Sequence, residues 1–115
     1  MVTRSDDCPR RKANLAGGNG LLDCKVLATP EQMYNHARMF NHVTIAPGHS
    51  IGNHTHTDET EFYYVLKGNP TYNDNGTDVI LNPGDCTECT NGEEHGIINN
   101  TDEMVEIIAF IPMDK

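Results

Sequence analysis

The alternating pair His54-x-His56, a carboxylate at Glu61 and a distant histidine at His95 constrain the architecture of this chain more than any other feature. Residues two apart on a strand project to the same side, so His54 and His56 can present two imidazole nitrogens to one point. Glu61 lies at an odd offset from His56, which a continuous strand would send to the opposite side. The intervening Thr57-Asp58-Glu59-Thr60 is polar and turn-like, and a reversal there carries Glu61 back toward the pair. His95 comes from a remote part of the chain. Only a closed, barrel-like sheet brings all four side chains together, and three imidazoles with one carboxylate form a donor set suited to a single divalent metal.

The size of the chain, 115 residues, limits it to one domain. A dimer would help such a small unit bury more surface, and a homodimer is expected. Its 17 acidic against 8 basic residues, a net charge of −9, argue against nucleic-acid partners and anionic membrane surfaces. The longest strictly apolar run, Ile107 to Ile111, is too short to span a bilayer. The polar start Met1-Val2-Thr3-Arg4-Ser5 shows no secretory signal, so a cytoplasmic location is expected. The four cysteines are then expected as thiols rather than a disulfide frame. Cys86-x-x-Cys89 has no second pair, and its odd spacing would point the two sulfurs to opposite faces of a strand. The N-x-T triplets at Asn53, Asn75 and Asn99 are expected to be unused in that compartment.

Along the chain, residues 1–20 read as a solvated, loosely ordered N-terminal segment ahead of a single domain over 21–115. The cluster Arg10-Arg11-Lys12 is too short for a nucleic-acid arm. Leu21 to Ala28 reads as a strand. Thr29-Pro30-Glu31-Gln32 carries a helix-start signature, with Thr as cap, Pro in the first turn and Gln three residues after the cap, predicting a short helix to about Ala37. Beyond it the period becomes two. Met39, Asn41, Val43 and Ile45 form one set, and Phe40, His42, Thr44 and Ala46 the other. Glu61–Leu66 and Val105–Ile111 read as apolar strands, and Asn75-Gly76 as a two-residue hairpin turn. Many short strands between turn signals imply an all-β sandwich or barrel.

Gly48, five residues, His54-x-His56, four residues, Glu61, six residues, Gly68 resembles the first signature motif of the cupin superfamily. Gly84, five residues, Thr90-x-Gly92, two residues, His95, three residues, Asn99 resembles the second, with Thr90 where that motif usually has Pro. The resemblance implies a cupin double-stranded β-helix, a jelly-roll barrel, here with a short N-terminal helix. It implies that His54, His56, Glu61 and His95 bind one divalent transition metal (Mn, Fe, Ni, Co or Zn), with Asn99 structural rather than a ligand. It is most similar to small single-domain bacterial cupins of the oxalate-decarboxylase-like kind, many of which pair as dimers.

Two further residues are candidates for the pocket. Tyr63 shares the face of Glu61 by strand alternation and would offer a hydroxyl as donor or acid, or serve as an aromatic core residue. His42 would line the pocket if the Phe40–His42–Thr44 set faces inward, and would lie on the surface if the more apolar Met39–Val43–Ile45 set does. His36 and His49 read as structural or solvated. Arg38 is the only guanidinium in the strand preceding the motifs, and no carboxylate clamp is evident. These readings support a metalloenzyme acting on a small polar or carboxylate-bearing substrate, by decarboxylation, isomerisation or O2-dependent chemistry. The alternative is a non-catalytic metal-bearing module that binds a sugar or small acid.

Overall fold

The computed structural model describes residues 1–114. Ten strands run in chain order: β1 (Arg10–Ala13), β2 (Leu22–Val26), β3 (Ala37–Ile45), β4 (Ser50–Thr55), β5 (Glu61–Lys67), β6 (Thr71–Asp74), β7 (Thr77–Ile80), β8 (Cys86–Cys89), β9 (Glu94–Ile98) and β10 (Val105–Pro112). They form a six-stranded sheet, β1-β2-β3-β10-β5-β8, and a four-stranded sheet, β4-β9-β6-β7. All pairings are antiparallel. The two sheets fold over one another as a jelly roll, and their inner faces enclose the core.

Strand alternation decides which side chains reach that core. On β3, Asn41, Val43 and Ile45 are buried, and Phe40, His42 and Thr44 are only half-buried. β10 alternates without a break, with Val105, Ile107, Ala109 and Ile111 inside. Leu22, Ile45, Val65, Val105 and Ile107 are wholly buried. Burying each such side chain contributes about 1.5–3 kcal/mol, and together they fix which face of the six-stranded sheet turns inward. The hairpin at Asn75-Gly76 forms as expected, with both residues at positive φ (50° and 96°) joining β6 to β7.

Two local expectations are corrected. The helix from Thr29 to Ala37 is a single 3-10 turn, Glu31–Met33. Its start signature is real, since the Thr29 amide donates to Gln32 Oε1 (2.8 Å) and the Gln32 amide to Thr29 Oγ1 (3.3 Å). Tyr34 and Asn35 then adopt left-handed backbone (φ 55° and 57°), and Ala37 already opens β3. Pairing of β3 with β2 and β10 outweighs the weak propensity of so short a helix. The N-terminal segment, though mostly exposed, also contributes a strand. β1 pairs with β2, and the following loop docks on β4 through the Gly52 amide to the Leu15 carbonyl (3.0 Å). Gly52 permits this approach, because a Cβ there would collide with the Ala16 carbonyl oxygen.

Candidate metal centre

Four elements build the site. His54 is the penultimate residue of β4 and His56 lies just beyond that strand, Glu61 begins β5, and His95 lies on β9. His54 and His95 face each other directly in the β4–β9 register. An irregularity between Ile51 and His54 adjusts that pairing. The reversal over Thr57–Thr60 occurs, with Asp58 at positive φ (58°) and its amide held by Asn91 Oδ1 (2.8 Å). His56 is anchored at both backbone groups, its amide to the Glu93 carbonyl (3.2 Å) and its carbonyl from the Gly92 amide (2.8 Å).

The side chains converge through one atom each. Glu61 Oε1 lies 2.9 Å from His56 Nε2, 3.0 Å from His95 Nε2 and 3.4 Å from His54 Nε2. His95 Nε2 is 3.1 Å from both His54 Nε2 and His56 Nε2. Each opposite ring nitrogen has its own partner. His54 Nδ1–H donates to the Gly52 carbonyl (2.7 Å) and His56 Nδ1–H to Glu59 Oε2 (2.6 Å). His95 Nδ1 meets the Tyr72 hydroxyl at 2.8 Å. With protons on Nδ1, three Nε2 lone pairs and a carboxylate oxygen point at one another, an arrangement that a bound cation satisfies. Donors about 2.1 Å from a common ion, at angles of about 90–110°, stand about 3.0–3.4 Å apart. The observed separations fit, and His54, His56, Glu61 and His95 could hold one metal ion.

The electrostatics agree. Burial pushes the Glu61 carboxyl up, but when His54 and His95 carry a proton on Nε2 their hydrogen bonds outweigh it and hold the group at about 2, so Glu61 is an anion whether a proton or a metal ion faces it. His54 is raised by its contact with Glu61, whereas burial lowers His95. Arg38 holds Glu59 at about 2 through a bidentate pair (2.6 and 2.7 Å), so the partner of His56 is a fixed anion. Such outer contacts orient metal-ligating imidazoles.

The cluster opens on a cavity of about 230 Å3. His54, His56 and Glu61 face this space, and His95 lies behind them, wholly buried. Tyr63 lines the cavity, is 1% exposed, and stacks on the His95 ring (centroids 4.7 Å apart, planes 10°). Burial, reinforced by the Glu61 carboxylate, raises its phenol well above the usual value, so it keeps its proton. His42 is elsewhere. The apolar set of β3 faces inward, and His42 sits on the outer face of the sheet, 2.8 Å from Glu106. Asn99 is fully buried but makes no contact with the cluster. It donates to the Ile45 and Glu103 carbonyls and accepts from Thr101, tying chain segments together. All four cysteines are free thiols, with Cys86 exposed and Cys89 buried as the odd spacing implies.

Sequence reasoning missed Tyr72, Glu59 as the partner of His56, and Arg11, which lines the cavity. Tyr72 lies diagonally across the β6–β9 pair from His95 and is visible only once that register is known.

A metal-ready cluster inside a jelly roll is the hallmark of cupins, and the family model described as "Cupin domain" matches residues 41–111, so this chain belongs to that family. It is similar to the "Oxalate-binding protein" of Thermotoga maritima, 39% identical over 96% of this chain and 93% of that protein. A crystal structure of a predicted oxalate decarboxylase from Thermotoga maritima superposes with a TM-score of 0.93, at 37% identity, over 98% of this chain and 99% of that one. The polyketide cyclase RemF from Streptomyces resistomycificus shares the fold, with a TM-score of 0.79 at 18% identity over 99% of this chain and 81% of its own. No helix among the described residues is long and apolar enough to cross a membrane.

Proposed function

We propose that this cupin holds one divalent transition metal on His54, His56, Glu61 and His95 and uses it to act on a small carboxylate-bearing molecule. The observation that carries this reading is the convergence of three Nε2 atoms and Glu61 Oε1 at the wall of a cavity of about 230 Å3. A bound divalent ion would supply a Lewis-acid centre that holds and polarises a carboxylate or a vicinal oxygen pair. Tyr63 keeps its proton and lines the same space, which supports a role for it as hydrogen-bond donor to such a group. Decarboxylation, isomerisation and O2-dependent chemistry are the reactions this arrangement supports. The name of the Thermotoga relative, an oxalate-binding protein, favours a second reading, in which the site binds a small acid without turnover.

The test begins with elemental analysis of protein purified without added metal or chelator. The metal-reconstituted protein is then offered a panel of small acids and sugars, with O2 uptake, product and binding all measured. Turnover that disappears in Glu61→Gln and His56→Ala supports the enzyme. Tight, metal-dependent binding without product across the panel supports the binding module. Protein that takes up no divalent metal refutes both.

A further inference from the structure

We propose that Arg11 is a specificity residue that anchors the second, distal carboxylate of an extended diacid whose first carboxylate lies at the four-residue cluster. The inference rests on the metal-dependent reading above and narrows its ligand class. In β1, alternation separates Arg10 and Lys12 from Arg11. Arg10 pairs with Asp23 on the strand beside it (3.8 Å), whereas Arg11 lines the cavity. The register explains this. Arg11 is opposite Cys24, and Cys24 is opposite Val43, so Arg11, itself exposed, stands at the outer end of a row whose other two members are buried.

Among the described residues two guanidiniums line this cavity, and Arg38 alone of the two is neutralised. Arg38 is engaged by both carboxylate oxygens of Glu59. Among the described residues Arg11 forms no ion pair and no side-chain hydrogen bond. Its planar fork of donors is matched to a carboxylate. Between Arg11 and the cluster the wall is mostly apolar, with Leu15, Met39, Val43, Ile51 and Ile111. A hydrocarbon body suits that wall, with a charged group at each end.

Length disfavours the shortest diacid as a bridge. Arg11 lies on β1 and Glu61 on β5, with β2, β3 and β10 between them. Four strand spacings amount to about 19 Å of backbone separation along the sheet, before curvature and the reach of the side chains reduce it. Oxalate, whose two carboxylates share one bond, is the diacid least able to reach the cluster and Arg11 together. Bridging therefore requires a diacid whose carboxylates are held apart by a hydrocarbon spacer.

Calorimetric titration of the metal-loaded protein with oxalate, butyrate, glutarate and adipate tests this, using wild type, Arg11→Gln and Arg11→Lys. Arg11 is exposed on an edge strand, so the substitutions are compatible with the fold, and a melting curve of each variant checks it. Arg11→Gln is expected to weaken glutarate or adipate at least tenfold while changing oxalate and butyrate less than twofold. Arg11→Lys is expected to fall between wild type and Arg11→Gln. Equal losses for all four acids, no loss for the long diacids, or no binding of them by wild type would overturn the proposal. Metal uptake is measured separately by chelator competition. Its absence in wild type would retire the metal-dependent reading itself, whereas normal uptake with an indifferent Arg11→Gln retires only the role of Arg11.

Discussion

Replacing Tyr72 with Phe removes one oxygen atom and tests whether the outer contacts of the cluster set its metal affinity. The Tyr72 hydroxyl lies 2.8 Å from His95 Nδ1, and burial pushes its phenol up to about 12, so it is a neutral partner at ordinary pH. For His95 Nε2 to offer a lone pair, Nδ1–H must donate to the Tyr72 oxygen. Without it, His95 is free to carry its proton on Nε2, the nitrogen that faces the cluster. Loss of such an outer partner costs 10–100-fold in metal affinity, or about 1.4–2.7 kcal/mol. The lower half of that range applies here, because the ring keeps its other restraints. It remains stacked on Tyr63 at 4.7 Å, and a Phe ring preserves the edge contact made by Tyr72 at 5.5 Å. Tyr72→Phe is therefore expected to weaken zinc or cobalt binding about 10–30-fold, read by chelator competition near neutral pH. Glu59→Gln should cost more, since the partner of His56 is charged. Tyr64→Phe, on the outer face of β5, should change nothing. A folded Tyr72→Phe protein that binds metal within a factor of two of wild type would refute the orienting role.

Other consequences follow from the same contacts. Asn99→Ala removes four side-chain hydrogen bonds at a fully buried position and should destabilise the protein by about 3–5 kcal/mol in chemical denaturation, without a direct effect on ligand geometry. Gly96→Ala places a Cβ against Asn53 Oδ1 between β4 and β9, the two strands that carry His54 and His95; both melting temperature and metal affinity should fall together, and a loss of stability alone would contradict the coupling. Arg38→Gln should lower stability by about 1 kcal/mol at neutral pH. Because Glu59 is depressed from 4.5 to about 2 in the folded chain, that contribution is present above pH 4.5 and lost as pH falls toward 2; the difference between wild-type and variant melting temperatures should shrink over that window. Removing metal with a chelator should lower the melting temperature by roughly 10 °C when the free ion had stood at about 100 times its dissociation constant, a loss of about 2.7 kcal/mol.

Much of the site is legible in the sequence. Parity along a strand put His54 and His56 on one side, and the polar run at Thr57–Thr60 correctly signalled the reversal that returns Glu61. The Asn75-Gly76 turn was readable because few residue pairs tolerate two consecutive positive φ values. Asn99 kept the structural role that the motif resemblance implied. The short helix after Thr29 was not legible as what it is. Its capping contacts exist, but they close only one turn before β3 pairs with its neighbours.

By itself the sequence determined the inventory of donors, their order, and which of them share a side of a strand, because these follow from local geometry with a period of two. Only the tertiary structure decided which side of each strand is the inside. For β3 the more apolar set indicated the answer, and His42 accordingly lies outside. For β1, with Arg10, Arg11, Lys12 and Ala13, no apolar contrast exists, and pairing with β2 alone turns Arg11 toward the cavity. The same long-range registers set His95 opposite His54 and Tyr72 beside His95. Such neighbours come from distant parts of the chain, and their pairing is selected by burial of the whole core rather than by any residue's own preference.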